Sequence, residues 1–337
     1  RRDTFFLPAW AGIFHSCTGL IFLNFKPCIV ELFTIILTIM GLCMFEIICS
    51  IDNAIINAEV LGTMQPKYRR WFLLWGILFA VFLVRGLLPL LLVWLSTPGL
   101  TPWEAFTAMF SDNPDIKEAI ETSSPILLIG GGTFLIFLFF HWLFLEEKHF
   151  GLRGERFFYS KGVWFYAVAS VLLMAIVWFA IERNPMMAFG AVVGSTAFFI
   201  VHGFRQNAEL AEQKLMGGDL SDISKIMYLE VIDATFSIDG VLGAFAFTMC
   251  VPLILVGNAL GAIAVRQITV SNIDRIKKYR FLKNGAMYSI LCLGIIMLID
   301  SFGFHIPEFV SPVITFGVVG LFFLKSVRDS ESPAINS

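Results

Sequence analysis

Leu42-Cys-Met-Phe-Glu46-Ile-Ile-Cys-Ser50-Ile-Asp52-Asn53-Ala-Ile-Ile-Asn57-Ala-Glu59-Val-Leu-Gly-Thr-Met64 sets acids and amides inside a run otherwise apolar enough to lie in a bilayer. Ionisable groups at that depth are costly, and they mark pathways and binding sites. The pattern returns in the second half as Glu230-Val-Ile-Asp233-Ala-Thr-Phe-Ser237-Ile-Asp239-Gly240. In both stretches an acid is followed by three residues, then Ser-Ile-Asp, then Asn or Gly. The remaining segments read as a scaffold that brings these two stretches together.

Composition sets the class. The 337 residues are 57% hydrophobic and 15% charged, with a mean hydropathy of +0.79. A soluble domain carries about 45–50% apolar and about 25% charged residues, so the chain reads as an all-α polytopic membrane bundle. Apolar runs at 5–25, 32–62, 71–95, 125–145, 162–181, 186–203, 223–249, 252–270, 284–302 and 311–326 meet or approach the roughly 20 residues that a helix needs to cross hydrocarbon. They give ten spans, or nine if 5–25 does not cross. The 32–62 run is too long for one straight crossing, and Ser50–Asn53 is the place for a break. A loop at 96–123 carries a short helix at Trp103–Phe110.

Orientation follows from the basic residues. With the N-terminus inside, all but five of the 24 Lys and Arg fall in loops on one side. Lys26, Lys117 and Arg183 lie on the other side, and Arg85 and Arg266 lie within spans. This asymmetry places both ends in the cytoplasm if there are ten spans. The Glu46 span then runs inward and the Asp233 span outward. The span after each repeats a second feature, Gly76 with Arg85 and Gly257 with Arg266 at the same spacing. Together these features predict an inverted repeat with its site at the interface of the halves.

On a helix, Glu46, Ser50, Asn53 and Asn57 share a face, as do Glu230, Asp233, Ser237 and Gly240. Asp52 and Asp239 fall off those stripes. Either they meet other partners, or the helices unwind locally where Asn53 and Gly240 permit it. Five in-span acids face two in-span arginines, a formal surplus of three negative charges. Buried charge of that size calls for protons or a shared cation. Oxygen ligands suit Mn²⁺, Mg²⁺ or Ca²⁺, and displacement of the metal by a proton would give an exchange mechanism.

Plainer roles are open for several of these residues. Arg85 and Arg266 serve equally as structural counter-ions. Ser50, Ser237 and Asn57 serve as hydrogen-bonding glue between helices. His141 and His202 read as interfacial, Glu146-Glu147-Lys148-His149 as a solvated helix exit, and Asp300 is left outside the site. The six cysteines form no Cys-x-x-Cys and read as small buried hydrophobes. No phosphate loop, zinc ribbon or basic domain is present, which argues against nucleic acid and nucleotide partners. Residues 1–26 are similar to a signal sequence but carry no small-residue cleavage site.

Glu46-x-x-x-Ser50-x-Asp52-Asn53-Ala54 resembles the acidic signature of the TerC-like integral membrane proteins, named for tellurium resistance. Glu230-x-x-Asp233-x-x-Phe236-Ser237-x-Asp239-Gly240-Val241 resembles the second signature of a branch catalogued as a domain of unknown function. Gly261-x-x-x-x-Arg266, Glu146-Glu147-Lys148 and His305-Ile306-Pro307-Glu308 look like the same branch. Better-studied members read Asp-Ser-Ile-Pro where Asp239 is followed here by Gly240-Val241-Leu242, and Cys49 stands where Leu is usual.

The resemblance implies a transporter with inverted three-helix repeats, related to exporters of manganese and other metals. Its acidic site would fall on Glu46, Asp52, Asn53, Glu230, Asp233 and Asp239, with Ser50, Asn57, Arg85, Ser237, Gly240 and Arg266 in support. It divides the chain into an N-terminal span and linker at 1–30, a transporter domain at 31–327 with halves at 31–145 and 223–302, and a cytoplasmic tail at 328–337. The expected function is export of a divalent cation, Mn²⁺ foremost, from a bacterial inner membrane, with proton coupling as an option and no resident cofactor. A non-transporting scaffold or sensor of metal or tellurite stress is the alternative. An enzyme is not expected, because the intramembrane protease motifs Gly-x-Gly-Asp and His-Glu-x-x-His are absent.

Overall fold

The computed structural model describes residues 27–331, apart from 77–78, 80–84, 98, 100, 109–113, 217–220 and 272–277, the side chains of 27–30, 114–117, 208–216, 268–271 and 330–331, and several single side chains, Asp52 among them. The span expected at 5–25 lies outside the described residues. Among the described residues there are helices and no strands. The amphiphilic run 32–62 forms two helices, α1 (Pro27–Cys49) and α2 (Ile51–Gly62). The break falls at Ser50, inside the window expected from the sequence. Ser50 has φ −92° and ψ 3°, yet its amide still donates to Glu46 O at 3.0 Å and its carbonyl accepts from Ala54 at 2.9 Å. The helix is interrupted there with little loss of backbone bonding, and membrane interiors require that bonding.

The short α3 (Pro66–Trp71) starts at a proline and carries Lys67, Arg69 and Arg70. It widens into a π-type turn at Phe72–Gly76, and the segment resumes as α4 (Leu87–Ser96). The loop helix is α5 (Pro102–Ala108), close to the position expected. Then come α6 (Pro114–Leu145), α7 (Glu155–Tyr159), α8 (Trp164–Arg183), α9 (Pro185–Met216), α10 (Asp222–Ala244), α11 (Val251–Ser271), α12 (Leu282–Ser301) and α13 (Val310–Glu331). Six of these helices hold stretches long and apolar enough to cross a membrane: Glu31–Cys49, Thr122–Leu145, Trp164–Arg183, Pro185–Asn207, Leu282–Ser301 and Val310–Asp329. The other expected spans map onto α4, α10 and α11, which are shorter in their apolar part or carry buried charge.

The core of the bundle is α6, flanked by α9 and α12. Glycines set both crossings. A Cβ on Gly130 would stand 2.9 Å from Gly190 O, one on Gly132 would stand 2.9 Å from Gly294 O, and one on Gly194 would overlap Gly130 O. Small residues at a helix crossing let backbones approach where lipid offers no hydrophobic drive to pack. At the rim, α8 turns Trp164, Tyr166, Met174, Trp178 and Phe179 outward. This is the apolar surface a lipid-facing helix needs, with indole rings near both ends.

The helix exit after α6 is not simply solvated. Glu155 is buried and accepts from the amides of Gly151 (2.7 Å) and Leu152 (3.1 Å), from Asn284 Nδ2 (2.9 Å) and from Tyr288 (3.1 Å). Lys148 Nζ donates to the terminal carbonyls of α6 at Trp142 and Leu143 and lies over the Trp142 ring. Burial lowers Lys148 to about 8. Burial opposes ionisation of Glu146 as well, but His141 and the Lys283 ammonium outweigh it and hold that carboxyl well below the usual range.

A carboxylate–guanidinium cluster between the two halves

Glu46 sits on α1 one turn before the Ser50 break, so Ser50 lies on the same face as its carboxylate. Ser50 Oγ donates to Glu46 Oε1 at 2.7 Å. Arg85 donates to the same oxygen twice, from Nε at 3.0 Å and Nη2 at 2.5 Å. Arg85 Nη1 reaches across to Asp233 Oδ2 on α10 at 3.4 Å, and Asn53 Nδ2 donates to Asp233 Oδ1. Arg266 on α11 lies 3.6 Å from Glu230 Oε1 and 3.7 Å from Asp233 Oδ2. It also donates to Phe72 O in the π-type turn at 3.0 Å, with its guanidinium 4.3 Å above the Phe72 ring. Each half therefore supplies a guanidinium that reaches the other half, and Asp233 receives both.

All of these groups are buried. Two glycines make room for the carboxylates. A Cβ on Gly240 would lie 2.6 Å from Glu46 Oε2, and one on Gly76 would overlap Glu230 Oε1. Gly240 is thus not a point of unwinding, since α10 runs unbroken through it to Ala244. Its missing side chain serves close approach of Glu46, and only the first acidic helix is interrupted. Ser237 Oγ donates to Asp233 O at 2.6 Å, bonding back within its own helix rather than to a partner helix.

Asp239 meets a different partner. Its Oδ2 accepts from Arg205 Nη2 at 2.6 Å. By hydropathy Arg205 falls in a loop, but α9 continues past it to Met216 and holds it against α10. Counting Arg205 brings the expected surplus of three negative charges, which includes Asp52, to two. Glu46, Glu230, Asp233 and Asp239 face Arg85, Arg205 and Arg266, so the described side chains carry one carboxylate more than guanidinia. The side chain of Asp52 lies outside the described residues.

Several buried polar atoms in this region have no hydrogen-bond donor or acceptor: Glu46 Oε2, both oxygens of Glu230, Asp239 Oδ1, Asn53 Oδ1 and Asn57 Oδ1. Asn258 on α11 is fully buried with its amide unpaired. It went unnoticed in the sequence, where the only signal was an amide within an apolar run. A small enclosed space of about 10 Å³ lies against Asn57, Phe72, Arg85, Asp233 and Arg266. It admits about one water. Among the described residues, no three carboxylate, imidazole or thiol side chains stand close enough, as arranged, to hold a metal ion. His141, buried, and the half-buried His202 pair near the ends of their apolar stretches, with ring centroids 3.8 Å apart.

Residues 51–332 match the model of a family described as a protein of unknown function, DUF475. The chain belongs to that family. The matched range takes in every residue of the DUF475 cluster described above except Glu46 and Ser50. No curated protein and no solved structure matches the chain.

Proposed function

We propose that this DUF475 protein is a membrane transporter that moves a divalent cation, Mn²⁺ foremost and outward, through the Glu46–Asp233–Glu230 cluster. One observation carries the reading: among the described side chains, buried carboxylates outnumber guanidinia, and Glu230 has no hydrogen bond to either oxygen. A buried carboxylate in excess of its counter-ions costs several kcal/mol in a low-dielectric interior, so the site calls for a proton or a cation. Hard oxygen donors favour Mn²⁺, Mg²⁺ or Ca²⁺ over softer metals. In this arrangement Arg85 and Arg266 hold the oxygens that a cation would need. On our reading the guanidinia stand in for the cargo between turnovers and swing aside when it binds. The likeness to TerC-like proteins supports the same role, in a bacterial inner membrane with both termini cytoplasmic. Asp52 and Asn53 complete the proposed ligand set, and no catalytic role is assigned.

The test is metal flux in liposomes holding the purified protein and a metal-sensitive dye. Wild type should admit Mn²⁺, and Glu230→Gln and Asp233→Asn should not. No flux of Mn²⁺, Mg²⁺ or Ca²⁺ overturns the reading. A second reading, a scaffold or sensor without transport, is favoured by the pairing of Glu46, Asp233 and Asp239 with guanidinia and by the roughly 10 Å³ of free space. It predicts that cells with and without the protein hold the same divalent metal content.

A further inference from the structure

His141 lies near the end of α6, and His202 lies near the end of the apolar stretch Pro185–Asn207 of α9. The rings are 3.8 Å apart at 52°. His141 is buried, edge-on to Phe165 at 5.4 Å, and His202 stacks on Phe198 at 5.9 Å. Two imidazoles so close can take up one proton but resist a second, because like charges at that distance repel strongly. The charges around them are asymmetric. On the α6 side, Glu146 Oε1 is 3.5 Å from His141 Nδ1, and Lys283 Nζ from α12 binds the other oxygen of Glu146 at 2.9 Å. On the α9 side Arg205 follows His202 by three residues, one helical turn, and its guanidinium is bonded to Asp239 of α10. Lys148 and Glu155 complete the charged groups around Glu146.

We propose that the His141–His202 pair is a proton-binding site, and that its proton is the coupling ion of the transport proposed above. A proton on the pair is held by Glu146 and repels the adjacent guanidinium of Arg205. It therefore weakens the Arg205–Asp239 bond at one end of the acidic helix and couples proton uptake to opening of the cluster on that side. This rests on the transporter reading for the word coupling, but the proton site itself does not.

Two measurements separate the claims. In nanodiscs with ¹⁵N-labelled histidine, His141 and His202 should titrate as one coupled pair. The titration should move up in Arg205→Gln, down in Glu146→Gln, and collapse to a single step in His202→Gln. Independent titration, indifferent to Arg205→Gln, overturns the proton site whatever the liposomes do. In liposomes an imposed pH gradient should drive wild-type Mn²⁺ accumulation. His202→Gln should lose that response while still exchanging Mn²⁺ at equilibrium. Wild-type flux that ignores the pH gradient overturns the coupling and leaves the transporter reading standing. No flux at all overturns both transport and coupling, and the titration alone then decides the proton site.

Discussion

Gly76 and Gly240 occupy matching roles at the level of single residues, since each leaves the space that a buried carboxylate of the opposite half fills. The obstructing atoms are the ends of flexible side chains, so an added methyl displaces them rather than breaking the bundle. Gly240→Ala and Gly76→Ala should each cost ~1 kcal/mol of stability or somewhat more, read as a small drop in melting temperature, but should abolish Mn²⁺ flux. A large stability loss with flux retained would contradict this geometry. Sequence spacing flagged both glycines, one as a repeat marker and the other as a hinge. It could not distinguish a hinge from a close approach, because both need a residue without Cβ. Glu146 gives a second test at this scale. Its carboxyl is held below its ordinary value of 4.5, burial being outweighed by His141 and Lys283. A depressed carboxyl contributes stability that is full above the unfolded value and fades as pH falls toward the folded one. Glu146→Gln should therefore lower the melting temperature at pH 7 and narrow the gap to wild type below pH 4, measured by thermal unfolding in detergent across that range.

Among the elements, α6 carries the most consequence, because Gly130 and Gly132 each meet a backbone carbonyl of a neighbouring helix. A Cβ at Gly194 would overlap Gly130 O, and neither helix can move without giving up the contact. Gly194→Leu should drive α6 and α9 apart and leave little folded protein, whereas Gly317→Ala, with open space around it, should match wild type. Equal yields of the two variants in size-exclusion chromatography would count against a packed glycine seam. The sequence located α6, α8, α9, α12 and α13 by apolar length, and it located the Ser50 break because a run too long for the bilayer must bend somewhere. It missed the reach of α9, since hydropathy falls before the helix ends and Arg205 looked like a loop cation. The His141–His202 pair was illegible for a related reason, as two spans distant in sequence decide it.

Across the whole molecule, the cluster joins the halves through charge, and removing one partner differs from removing a pair. Arg85→Leu strands Glu46 and leaves Asp233 with one guanidinium, and loss of one buried partner costs about 3–5 kcal/mol. Arg85→Gln with Glu46→Gln removes opposite charges together and should cost much less than the sum of the two single changes. Additive losses in thermal unfolding would show that the pair is not energetically joined. The same uneven charge balance ties folding to the cargo. A cation that binds the native cluster and not the unfolded chain stabilises it by mass action, about 2.7 kcal/mol at a hundred times its dissociation constant. Wild type in detergent should melt higher as Mn²⁺ is raised, at constant ionic strength so that screening is held fixed. Glu230→Gln, which removes one buried negative charge, should start at least as stable and show no response. If Mn²⁺, Mg²⁺ and Ca²⁺ all leave the wild-type melting temperature unchanged, the surplus is met by a proton at Glu230, and the cluster joins the two halves without carrying a metal.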